Sequence, residues 1–110
     1  MMTVDGAEIR QDVGLAPTEL HGRRWLVLIA PVCFGERIDA KTLVKYEDLI
    51  PSGALVLRGE SYLLRDGVLF EALTPITLAW TVAVIAHEAA KVRLNLAVPD
   101  DARLFAHYTE

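Results

Sequence analysis

Cysteine is almost missing from this 110-residue chain: Cys33 is the only one. No disulfide can form within it, which suits a reducing compartment and sets the expectation of a cytoplasmic protein. No basic pair or helix start stands beside Cys33, so it reads as a small buried hydrophobe rather than a reactive thiol. Histidine is scarce too. His21, His87 and His107 lie far from one another and from Cys33, so no two metal ligands have the close spacing of a zinc site, and neither a metal nor a cofactor is expected. The stretch HEAAK, residues 87–91, resembles the start of a zinc-protease helix, but Lys91 stands where the second histidine belongs. The sequence has no Gly-x-Ser-x-Gly elbow, no glycine-rich phosphate loop and no dinucleotide fingerprint, so the common nucleophilic and nucleotide-binding chemistries have no foothold.

An excess of positive charge is also lacking. Eleven Lys and Arg face fifteen Asp and Glu, for a net charge of −4. Such a balance argues against nucleic acid or an anionic membrane as partner. Nor is there a run of about 18 apolar residues, the length a membrane span needs. The candidate beginning at Ile76 meets His87 and Glu88 too soon. Arg23-Arg24 before an apolar run resembles a twin-arginine export signal, but ERIDAK follows and no small-x-small cleavage site does.

What the chain has in quantity is apolar side chains: 53% of residues, with a mean hydropathy of +0.31. A small domain has a large surface relative to its volume and should need more polar residues than this. Residues 25–34 form a near-continuous apolar run, the pattern of a strand buried on both faces. Pro31 cannot donate to a ladder, which predicts an edge or a bulge at the far end. Residues 1–24 are punctuated by Asp5-Gly6, Gly14, Ala16-Pro17 and Gly22. They are expected to be a flexible N-terminal segment, with one short strand over 7–13 and then a loop. Residues 25–110 are expected to form one domain.

Asp39 precedes a helical pattern over residues 39–50, with Leu43, Tyr46 and Ile50 on one face and Pro51 as its stop. Asp66-Gly67 is the dipeptide of a type I′ turn, which predicts a hairpin pairing residues 62–65 with 68–71. Gly59 supplies a second turn and Ala54–Arg58 a third strand. Both faces of such a meander would be apolar, so it calls for cover on two sides.

Thr74 and Pro75 have the chemistry of an N-cap and a first helical residue. Leu78, Val82, Ile85, Ala89, Val92 and Leu96 follow at steps of three and four, one helical stripe. Thr77, Thr81, Glu88, Lys91 and Asn95 form a second, polar stripe. Ile76, Trp80, Ala83, His87, Ala90 and Leu94 form a third, apolar and nearly opposite the first. A helix is expected from 75 to at least 91. Whether 92–98 extends it or turns into a strand is open, with continuation favoured. Asp100-Asp101 can open a short C-terminal helix.

Together these elements predict an α+β fold. An antiparallel three-stranded meander and an N-terminal strand pack against one long helix and one or two short helices. One apolar face of the helix can cover the sheet. The other, lined by Ile76, Trp80, Ala83, His87, Ala90 and Leu94, is left for an interface. Function is therefore expected to be that of a non-enzymatic protein-interaction module, a homodimeric adaptor or chaperone-like protein, with another copy or another protein as partner. The alternative is a small-molecule-binding protein or small enzyme whose pocket is lined by Trp80 and His87.

Overall fold

A computed structural model describes residues 2–34, 39, 41–42, 45–46 and 53–96. The chain is α+β, with two antiparallel sheets and one long helix. Strands β1 (Met2–Val4) and β2 (Ala7–Ile9) form a separate two-stranded ribbon. Strands β3 (Gly14–Leu20), β4 (Arg23–Phe34), β5 (Ala54–Arg58) and β6 (Ser61–Leu69) form the main sheet in the order β3-β4-β6-β5. A short 3₁₀ turn, Phe70–Ala72, leads from β6 to helix α1 (Pro75–Asn95).

Two tight turns build the N-terminal third. Asp5-Gly6 has φ values of 50° and 81°, and His21-Gly22 has 54° and 73°. Positive φ at both central residues is what a type I′ hairpin requires, and glycine meets it without steric cost. The first turn joins β1 to β2 with Val4 opposite Ala7, and the second joins β3 to β4 with Leu20 opposite Arg23. Residues 14–20, expected to be loop, are thus an edge strand. Pro17 sits where its missing N–H is tolerated.

Strand β4 is the anticipated apolar strand, and it carries the anticipated bulge. Its pairing with β6 shifts between Pro31 and Cys33, leaving Val32 as the extra residue. Leu28, Ala30, Val32 and Cys33 are buried beside Leu64 and Leu55 on the face that meets α1.

The three-stranded meander requires correction. Asp66-Gly67 is not a turn. It lies within β6, where Leu28 pairs with Asp66 and Val27 with Gly67. The twelve-residue β4 offers a continuous ladder to residues 61–69, and a hairpin at 66–67 would forfeit half of it. Leu64 and Val68 consequently share the helix-facing side, although the hairpin register would have separated them. The turn at Gly59 and the strand Ala54–Arg58 are found as expected, with Arg58 opposite Ser61.

Helix α1 starts where the sequence places it. The Thr74 hydroxyl accepts from the Thr77 amide at 3.1 Å, and the Thr77 hydroxyl accepts from the Thr74 amide at 2.7 Å. This reciprocal capping box satisfies two of the orphan donors of the first turn. The helix runs through Asn95 with Leu96 as its C-cap, so residues 92–95 continue it; 97 and 98 lie outside the described residues. Ile85, Ala89 and Val92 are buried on the sheet, with Val82 and Leu96 alongside. Burying a Val, Leu or Ile in this way contributes about 1.5–3 kcal/mol.

Lys41, Thr42, Lys45 and Tyr46 are helical, and Asp39 accepts from the Thr42 amide at 2.8 Å. Tyr46 packs on the main core. Leu43 and Ile50 of the expected helical face, Pro51, and the expected helix after Asp100-Asp101 lie outside the described residues. Among those described, no helix is long and apolar enough to cross a membrane.

Candidate functional site

The third stripe of α1 is divided in two by the fold. Its C-terminal end is covered from within the chain: Ala90 is fully buried against Val4 and Ile9 of the β1–β2 ribbon, and Leu94 and Met2 pack beside them. Its N-terminal end is open. Ile76 is 81% exposed and Trp80 71%, and Ala83 and His87 are exposed as well. Of the six residues expected at an interface, four therefore stand at the surface and two support the ribbon.

The split follows from what each half of the helix meets. Around residues 85–93 the sheet lies on one side and the ribbon on the other, and Arg93 is enclosed between them with no exposure. Its Nη1 donates to the Arg10 carbonyl and to Gln11 Oε1, the latter at 3.1 Å. Gln11 in turn donates from Nε2 to the Pro31 carbonyl at 3.0 Å. One arginine on the helix and one glutamine thereby tie the segment after β2 to both α1 and the bulge of β4. Arg93 also stands in the last turn of the helix, where a cation interacts favourably with the helix dipole. Among the described residues, nothing forms such a second layer over 75–84.

Beside the open half lies a groove of about 440 Å³ between α1 and β6. Asp66 and Val68 line one wall, and Trp80, Thr81 and Val84 the other. Trp80 is therefore both an exposed apolar side chain and the rim of a cavity. His87 does not line this groove. His87 Nδ1 instead stands 4.0 Å from Glu88 Oε1, beyond hydrogen-bond range.

The arginines that open β4 are engaged locally. Arg23 pairs with Glu71 at 3.0 Å, and the Arg24 guanidinium lies 4.7 Å from the centre of the Phe70 ring. Cys33 is buried. Among the described residues, no three His, Cys, Asp or Glu side chains come together as a metal site. Sequence reasoning missed Arg93, because its acceptors lie 82 and 83 positions away along the chain. It also missed Asp66 and Val68 as groove residues, because they were assigned to a turn and its flank.

In comparisons with protein-family models, with characterised proteins and with solved structures, nothing matches this chain. The surface of α1 and the groove beside it are thus the basis for a functional reading.

Proposed function

We propose that this chain is a protein-interaction module without enzymatic chemistry of its own, working as a homodimer in the manner of an adaptor or chaperone-like protein. The observation that carries this reading is the exposure of Ile76 and Trp80 one turn apart on a well-capped helix. Single apolar residues on a surface are ordinary, but a tryptophan and an isoleucine presented together on a rigid element, beside a groove, have the character of an interface anchor. Ala83 and His87 continue the same face; Ala90 and Leu94 belong to the ribbon contact. The acidic balance of the chain, −4 overall, turns it away from nucleic acid.

Sedimentation velocity across a dilution series tests the reading. The expected result is a dimer that dissociates on dilution, and a Trp80→Glu variant that remains monomeric with unchanged far-ultraviolet circular dichroism. A wild-type chain that stays monomeric at every concentration would overturn it.

A further inference from the structure

We propose that the β1–β2 ribbon is a strap over α1: it lifts away as one unit while the four-stranded sheet stays folded, and lifting uncovers Ala90 and Leu94. These two residues continue the stripe already exposed at Ile76 and Trp80, so the ribbon sets how much of that stripe the helix presents.

The way the ribbon is held comes first. Strands β1 and β2 pair with each other in a sheet apart from β3–β6. Among the described residues, 2–9 make no hydrogen bond to α1 or to the main sheet. The directional ties come after the ribbon, at its base. Arg93 donates to the Arg10 carbonyl and to Gln11, and Gln11 donates to the Pro31 carbonyl. Residues 2–9 therefore rest on the helix by apolar contact beyond a clamped base. Such contact is non-directional, so no specific geometry has to be broken for the ribbon to leave.

Size points the same way. Among the described residues, three buried side chains, Val4, Ile9 and Ala90, make up the cluster beneath the ribbon, with Met2 and Leu94 at its margin. The cluster between sheet and helix has nine. Hydrophobic stabilisation scales with the apolar area buried, so the smaller cluster opens at lower cost. The two clusters share α1 but no residue, so one can open with the other intact. A two-stranded hairpin is marginal on its own. Once off the helix the ribbon loses its ladder, and Val4 and Ile9 open together.

Position gives the lifting a consequence. Ile76, Trp80, Ala83, His87, Ala90 and Leu94 follow one another at steps of four and three. Ile76 is 81% exposed, whereas Ala90 is fully buried. The ribbon thus ends the exposed part of the stripe partway along the helix, as a small and separable cover.

Residue-resolved amide exchange on the wild-type chain reads the lifting directly. Val4 and Ile9 should exchange together, at least about tenfold faster than Leu28 and Leu64. A thiol reads the uncovering of the helix. In Ala90→Cys, iodoacetamide should alkylate position 90 at least about tenfold faster than Cys33, each rate taken relative to the same site in denaturant. Cys33 lies buried in the main cluster and reports its opening. Two further substitutions, each combined with Ala90→Cys, move the strap in opposite directions. Asp5→Asn gives the exposed turn the Asn-Gly pair that type I′ favours and should slow alkylation at position 90. Val4→Ala trims the cover and should speed it. Cys33 should respond to neither.

If Val4 and Ile9 exchange no faster than Leu28 and Leu64, the ribbon opens only with the core and is not a strap. If they exchange faster but position 90 is alkylated no faster than Cys33, the ribbon frays in place without uncovering the helix, and the proposal is equally refuted. Neither outcome bears on the homodimer reading, which the dilution series tests separately.

Discussion

Two single residues carry consequences that can be measured. Asp39 accepts a hydrogen bond from the Thr42 amide at 2.8 Å. That bond, ahead of smaller contributions from the Thr42 side chain and the Lys41 amide, holds its carboxyl below the ordinary value of 3.8. A depressed folded-state pKa means that the cap contributes above the unfolded value and is lost as pH falls through the lowered one. A carbon-detected titration of Asp39 should therefore give a midpoint below 3.8. Asp39→Asn, which keeps the cap and removes the charge, should abolish this part of the acid dependence. A midpoint at or above the ordinary value would contradict the cap. Arg93 is the second case. Arg93→Met retains the apolar stem and leaves the Arg10 carbonyl and Gln11 Oε1 without this donor. Losing these two part-buried hydrogen bonds from a charged donor should cost about 1–3 kcal/mol in all, offset in part because a charge no longer has to be buried. The sharper readout is local: amide exchange should quicken at Val4 and Ile9 while Leu28 and Leu64 keep their protection. Equal acceleration everywhere would mean that Arg93 supports the whole core rather than the ribbon.

At the scale of elements, the same dipeptide has two fates. Asp5-Gly6 turns a hairpin and Asp66-Gly67 runs straight through β6. Asp-Gly permits a type I′ turn but does not compel one, and the long partner strand β4 decides the matter. Nothing within residues 60–71 reveals that choice, since the deciding ladder comes from residues 25–34. The same limit hides β3, an edge strand whose GLAPTEL sequence lacks alternation and which exists because His21-Gly22 folds it back on β4. Helix α1 was legible for the opposite reason: Thr74, Pro75 and the stripe through Ile85, Ala89 and Val92 are all local signals. These two kinds of glycine predict different mutational outcomes. Gly67 does not have positive φ, and a Cβ there would meet Trp25 Cε3 at 3.8 Å, an ordinary contact. Gly67→Ala should be neutral or stabilise by up to about 1 kcal/mol, since glycine weakens a strand interior. Gly22→Ala forces alanine to φ near 73° and should destabilise by about 1 kcal/mol or more. Chemical denaturation of both variants checks the pair. A costly Gly67→Ala with a harmless Gly22→Ala would place the turn where β6 now runs straight.

For the whole molecule, the sequence already implied a helix apolar on two opposite sides and an apolar content high for a small domain. What it did not reveal is how much of the second side the chain covers for itself. The stripe from Ile76 to Leu94 reads as one uninterrupted face, yet Met2, Val4 and Ile9, some 80 residues earlier, fold over Ala90 and Leu94. Among the described residues of this stripe, the end bearing Ile76 and Trp80 stays exposed, which makes the proposed interface smaller and more dependent on one tryptophan than the full stripe would suggest. A small contact of this kind should be readily reversible, and reversible association couples stability to concentration. Whatever binds only the folded state raises the apparent stability by mass action, and for a homodimer the ligand is the protein itself. The wild-type melting temperature should therefore climb by a few degrees for each tenfold increase in protein concentration, while that of Trp80→Glu stays level. At low concentration the two should converge, because Trp80 contributes little to the isolated fold when it is so exposed. Scanning calorimetry at several concentrations decides it. A flat wild-type profile would mean that the exposed end of α1 adds no stability through self-association. A Trp80→Glu chain that melts far lower than wild type even when dilute would mean that the indole serves the fold and not a partner.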